Sequence, residues 1–117
     1  MEGNNFSDPR EFILREVKTM GKYLLLWDID ESRIPVDPKE RGTGWKALMD
    51  MVKKDMSDGL MKDWGGFIGE TSGYTIFEGT ELELSTRLQQ YVPYVRFEVH
   101  PVGSVDHTDQ MVAALLK

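Results

Sequence analysis

Cysteine is absent from the 117 residues, and histidine occurs only twice, as His100 and His107. The first absence excludes a disulfide scaffold, a cysteine nucleophile and any zinc or iron–sulfur site built on thiolates. The second leaves a transition-metal site dependent on carboxylates or on another copy of the chain, so no metal site and no cofactor is predicted. Positive charge is in deficit: 14 Lys and Arg stand against 20 Asp and Glu, a net charge of −6. That balance lacks the basic footprint of a general binder of nucleic acid or anionic membrane, and neither is expected as a partner. Long apolar runs are missing too. Runs such as Leu24-Leu25-Leu26-Trp27 fall far short of the ~20 residues of a membrane span, and the polar opening does not read as a signal peptide. The expectation is a soluble cytoplasmic protein. Walker-type, dinucleotide-binding and G-x-S-x-G glycine patterns are also lacking.

What is present is enough for one hydrophobic core, because a chain of this size buries roughly two-thirds of its unfolded surface. Asp8-Pro9-Arg10-Glu11 reads as a helix start, and Ile13, Val17 and Met20 follow at helical spacing. This predicts a short helix over residues 9–19, within an N-terminal arm of residues 1–19 ahead of a single domain over residues 20–117. Lys22 to Ile29 reads as a buried strand. Asp37-Pro38-Lys39-Glu40 opens a helix whose apolar stripe is Trp45, Leu48, Met49, Val52 and Met56 and which stops at Gly59. Two strands then flank the turn residues Glu70-Thr71-Ser72-Gly73, and Gly65-Gly66 predicts a bulge or a close backbone approach. Thr80 and Glu83 form a capping box for a second helix carrying Leu84, Leu88 and Tyr91 and ended by Pro93. Tyr94 to His100 alternates as a strand, with Val95, Phe97 and Val99 on one side. Ser104 caps a last helix bearing Val105, Met111, Val112 and Leu115.

The predicted order is β-α-β-β-α-β with an extra helix at each end. Right-handed split βαβ units give an α+β fold with a four-stranded antiparallel sheet, both crossover helices on one face, and the first and last strands expected at the centre. The opposite face receives Tyr94, Arg96, Glu98 and His100 from the last strand. The first strand is apolar on both alternating sides, Tyr23/Leu25/Trp27 and Leu24/Leu26, so the open face needs a cover. A second copy related by a twofold axis is the simplest one. Which side of the third strand, Tyr74/Ile76 or Thr75/Phe77, meets the helices is left open by the sequence.

Asp63-Trp64-Gly65 in the second strand, the Gly-Tyr-x-Ile-x-Glu-Gly run from Gly73 to Gly79, and His100-Pro101-Val102 ending the last strand resemble the ferredoxin-like, dimeric α+β-barrel superfamily. The pattern is nearest to small members without an assigned activity and covers about residues 20–117. The resemblance implies a homodimer with a pocket in each subunit between the open sheet face and the helices or loops. It selects no reaction, because the superfamily includes cofactor-free monooxygenases, isomerases and haem proteins.

Candidate chemistry centres on His100, a residue type able to serve as general base or ligand, which lies two residues from Glu98 on the same strand face, as for an oriented histidine–carboxylate pair. The structural alternative is a rim histidine hydrogen-bonded at an interface. Trp27, Trp64, Tyr23 and Tyr74, with Arg96, are candidate ligand-binding residues for a planar organic molecule; packing is the alternative. Asp28 and Asp30 begin like a calcium loop, but Arg33 stands where glycine is needed and Lys39 where the closing glutamate belongs. Two functional readings follow. One is a homodimeric ligand-binding or structural module without a catalytic constellation. The other is a cofactor-independent monooxygenase or isomerase acting on a small cyclic or aromatic compound, which requires a cavity of ~300 Å³ or more. A third, an interaction module, would use the N-terminal arm for docking.

Overall fold

The computed structural model describes residues 20–117, so the helix expected over residues 9–19 lies outside the described residues. Strand β1 (Gly21–Ile29) leads through a 3-10 turn (Glu31–Arg33) into helix α1 (Pro38–Ser57). The hairpin β2 (Met61–Gly66) and β3 (Ser72–Gly79) follows, then α2 (Glu81–Gln89), β4 (Val95–Val102) and α3 (Val105–Leu115). Among the described residues the fold is α+β, with a four-stranded antiparallel sheet and three helices. Among the described residues no helix is long and apolar enough to cross a membrane.

Local chemistry starts each helix where the sequence predicts it. Asp37 accepts from the Glu40 amide with Pro38 in the first turn, Thr80 and Glu83 close a reciprocal capping box, and Ser104 accepts from the His107 amide. Each cap satisfies amides that the helix leaves unpaired. Gly59, at φ +82°, turns the chain after α1. Asp30, read above against a calcium loop, accepts from the amide and hydroxyl of Ser32 and caps the 3-10 turn. Its carboxyl is held below the usual range by those hydrogen bonds from Ser32.

The strand order is β2-β3-β1-β4, which corrects one expectation: β1 and β3 are central, while β4 is an edge. β3 pairs with β1 along nearly its whole length, from Gly21↔Gly79 to Asp28↔Ser72, and with β2 on its other side, whereas β4 pairs with β1 alone, from Lys22↔Val102 to Ile29↔Val95. The hairpin turn is also shifted. β2 ends at Gly66, Gly69 takes φ +81°, and Gly73 lies within β3 opposite Gly66. The bulge expected at the glycines falls instead between Met61 and Asp63, and Gly65 and Gly73 serve the close approach.

Tyr23, Leu25, Trp27 and Ile29 of β1 face the helices, as do Thr75 and Phe77 of β3, which decides the face that the sequence left open. Ile29, Val52, Met61, Tyr91 and Val95 form one buried cluster with α1, and Tyr23, Leu25, Phe77 and Leu84 form a second with α2. Both crossover helices therefore cover the same sheet face. The α1 stripe differs from the expected one at its end: Asp55 is buried and Met56 is exposed. The cover also thins along β4, where Val95 is buried but Val99 is exposed.

Candidate functional site

Between α1 and the sheet lies a cavity of about 500 Å³. Its existence follows from how α1 sits. Val52 and Asp55 in its second half are buried, while Trp45, Leu48 and Met49 nearer its start are only half-buried where they look onto the cavity. The sheet side is Trp27, Ile29, Trp64, Thr75, Val95 and Phe97, and Tyr91 enters from the turn after α2. All three tryptophans of the chain, Trp27, Trp45 and Trp64, line it.

The aromatic wall is held by specific contacts. The Trp27 and Trp64 rings stack with centroids 5.2 Å apart and planes 10° from parallel. Trp27 also donates its indole N–H to the Tyr74 carbonyl at 3.2 Å. Two glycines permit this arrangement: a Cβ on Gly73 would collide with the Gly65 carbonyl oxygen and the Trp27 ring, and one on Gly65 would collide with the Tyr74 ring. Tyr91 packs edge-on to Phe97, with centroids 5.7 Å apart and planes at 72°.

Polar groups at the cavity are mostly engaged elsewhere. The Thr75 hydroxyl donates to the Asp63 carbonyl at 2.6 Å. Arg41 donates through one guanidinium nitrogen to the carbonyls of Pro35 and Val36, at 3.3 and 3.0 Å. The Tyr91 hydroxyl donates to Asp55 at 2.8 Å. Arg41 and Glu70 are the charged residues among the lining groups. The cavity thus offers an apolar, aromatic interior with few polar handles, the usual composition of a small-molecule site.

Behind it, Asp55 collects three donors. Arg87 Nη1 reaches Oδ1 at 2.8 Å, and Gln90 Nε2 and the Tyr91 hydroxyl reach Oδ2 at 2.7 and 2.8 Å. Arg87 also pairs with Asp58 at 2.8 Å, and this hydrogen bond, with one from Lys54, lowers the Asp58 carboxyl from its ordinary value. Burial first, and then the bond to Asp55, raises the Tyr91 phenol far above its ordinary value. A phenol raised in the folded state stabilises the fold fully below the unfolded value of ~10, and that contribution is lost as pH climbs through the folded value. Above pH ~10 the wild type should therefore lose stability with a slope approaching ~1.4 kcal/mol per pH unit from this group alone. Urea midpoints measured through that range should fall less steeply in Tyr91→Phe, and equal slopes would contradict the assignment.

The structure divides the candidate residues between two faces. Trp27 and Trp64 come together in the cavity, and Tyr23 lies on the same face but in the α2 cluster. Tyr74, Arg96, Glu98 and His100 are on the open face, so His100 shares no pocket with Trp27 or Trp64. On that open face His100 Nε2 and Glu98 Oε2 are 2.5 Å apart, and Arg96 pairs with Asp28 at 2.9 Å. Tyr74 donates to Asp63 at 2.8 Å, a bond that raises its phenol. A second, shallower hollow of about 370 Å³ includes Leu26, Trp27, Asp28, Phe67, Arg96 and Glu98, so Trp27 meets two of the open-face candidates there, but not His100. Among the described residues no group of three or more His, Asp or Glu is placed to hold a metal ion. Sequence reasoning missed Arg41 and Glu70 at the cavity and Asp55 behind it. Asp55 was detectable, since it falls three residues after Val52 on the apolar stripe. No protein-family model matches the chain, and no curated protein shows significant similarity to it.

Proposed function

We propose that the protein is a homodimeric, ferredoxin-like α+β-barrel module that binds a flat, largely apolar organic molecule between α1 and the sheet. The observation that carries this reading is the cavity of about 500 Å³ lined by all three tryptophans. Its volume falls within the ~300–1,000 Å³ of small-molecule sites, and stacked aromatic rings favour a planar guest. The strand order β2-β3-β1-β4 and the shared helix face support the fold assignment. A sheet face that still exposes apolar side chains supports the dimer, because a second copy would cover it.

Binding is favoured over acid–base turnover. The Tyr91 proton is committed to Asp55, and the histidine–carboxylate pair of His100 and Glu98 lies across the sheet from the cavity. The test uses 1-aminoanthracene as a planar probe and follows energy transfer from the tryptophans. Saturable binding at one probe per chain is expected. Trp45→Ala should weaken it at least ~10-fold, since an aromatic contact contributes about a kcal/mol beyond area, with the far-ultraviolet circular dichroism unchanged. Absence of saturable transfer, or an undiminished affinity in folded Trp45→Ala, would overturn the reading.

A further inference from the structure

Among the described residues the last helix has no element against which to bury its apolar side. None of its residues is buried, and Val105, Leu115 and the following Leu116 are 78%, 76% and 81% exposed. Met111 and Val112 are exposed as well, so the stripe runs along one face of α3 at helical spacing. A helix of 11 residues is marginal in water unless such a face docks. Its departure from the sheet is nevertheless well defined. Only Gly103 and Ser104 separate β4 from α3. Ser104 accepts from the His107 amide at 3.0 Å, its carbonyl accepts from the Thr108 hydroxyl at 3.0 Å, and the His107 ring lies where a Cβ on Gly103 would be. These contacts send α3 off from an edge strand, clear of its own sheet.

The open sheet face is the matching surface. Leu24, Leu26, Ile76 and Val102 give it an apolar surface, and no element covers it among the described residues. We infer that α3 of each copy lies across the open sheet face of a second copy, a reciprocal clasp closed by a twofold axis. This rests on the homodimer proposed above and adds the element that holds it together. The dimensions agree: α3 is ~16 Å long at 1.5 Å per residue, and four strands span ~14 Å between outer axes. A face ~24 Å long and ~14 Å wide has a projected area of ~340 Å², and the helix stripe adds ~160 Å². The sum, ~500 Å² per partner or ~1,000 Å² in all, reaches the lower bound of a specific interface. The arrangement is isologous, so one contact type covers both unpartnered surfaces, whereas an unrelated partner would have to match each separately.

The absence of native cysteine makes the test clean. Full chains carrying Leu26→Cys or Val112→Cys are mixed and treated with a short bismaleimide. The expected product is a cross-linked pair containing one chain of each kind, with neither variant cross-linking by itself. In parallel, light scattering of Val112→Glu/Leu115→Glu should show a dimer dissociation constant raised ~100-fold or more, as for loss of a central apolar anchor. Its far-ultraviolet circular dichroism should be retained. If the wild type is monomeric even at its highest soluble concentration, the homodimer reading falls and the clasp with it. If the wild type is a dimer but the mixed pair does not form, or the glutamate variant dimerises like the wild type, the clasp alone is overturned. Closure within one chain carrying both cysteine substitutions would overturn it in favour of α3 folding onto its own sheet.

Discussion

Asp55→Ala is expected to destabilise the protein by about 3–5 kcal/mol, the range seen when one partner of a buried charged pair is removed. Asp55 is 1% exposed, and its carboxylate receives Arg87, Gln90 and Tyr91, tying the end of α1 to the end of α2 and the turn beyond it. Alanine would strand three donors at a joint that water reaches poorly. Each stranded buried group costs about 1–3 kcal/mol, although Arg87 retains Asp58 and is the least affected. Asp55→Asn keeps one acceptor oxygen and should cost roughly half as much. Asp58→Ala removes a more exposed partner of the same arginine and should cost far less, as surface pairs do. Urea unfolding of the three variants distinguishes a buried hub from a decorative ion pair. An Asp55→Ala protein within ~1 kcal/mol of wild type would refute the hub. Since small domains hold only ~5–15 kcal/mol in total, the alanine variant should also lose much of its thermal margin.

Gly73→Ala is the second large effect, and it joins the fold to the cavity. Gly73 pairs with Trp27 on one side and Gly66 on the other, and its missing side chain would point toward the helices, where the Trp27 indole lies across the strand. Adding a methyl group there must push the indole off its stacking with Trp64 or separate β2 from β3. Overpacking of this kind costs about 3 kcal/mol. The displaced ring would intrude on the cavity, so probe binding should fall along with stability. Gly42→Ala is the control, because nothing lies within 4 Å of the added Cβ and the residue is inside α1. That variant should gain up to ~1 kcal/mol from helix propensity. Equal effects of the two substitutions would mean that Gly73 matters only for backbone freedom, not for the space it leaves to Trp27.

Several elements were readable because their causes are local. Asp37, Thr80 with Glu83, and Ser104 satisfy amides two or three residues away, so each helix start is written in a four-residue window. The alternation of β4 likewise separated Val95 and Phe97 from Arg96, Glu98 and His100. The errors have nonlocal causes. β4 was placed at the centre of the sheet, yet it pairs with β1 alone, and the second central strand is β3, whose register on β1 depends on matching about eight residues across a long separation. Gly73 read as a turn residue because glycine favours turns, but here it makes room for a tryptophan 46 positions earlier in the chain. Asp55 drew no reading from the sequence, because its three donors come from residues 32 to 36 positions later.

The same division applies to the candidate site. Sequence by itself determined the α+β class, the antiparallel hairpin, the helix starts and an aromatic content suited to a pocket, because hydrophobic period and capping chemistry act over a few residues. It also set Glu98 beside His100, since residues two apart share a strand face. Only the tertiary structure decided that the large cavity lies under α1, that Trp45, Trp27 and Trp64 meet there, and that His100 faces away from it. A cavity is the volume left over when side chains from α1, the sheet and the turn after α2 fail to fill the space between them. That remainder depends on how distant elements stack, and no short stretch of sequence encodes it.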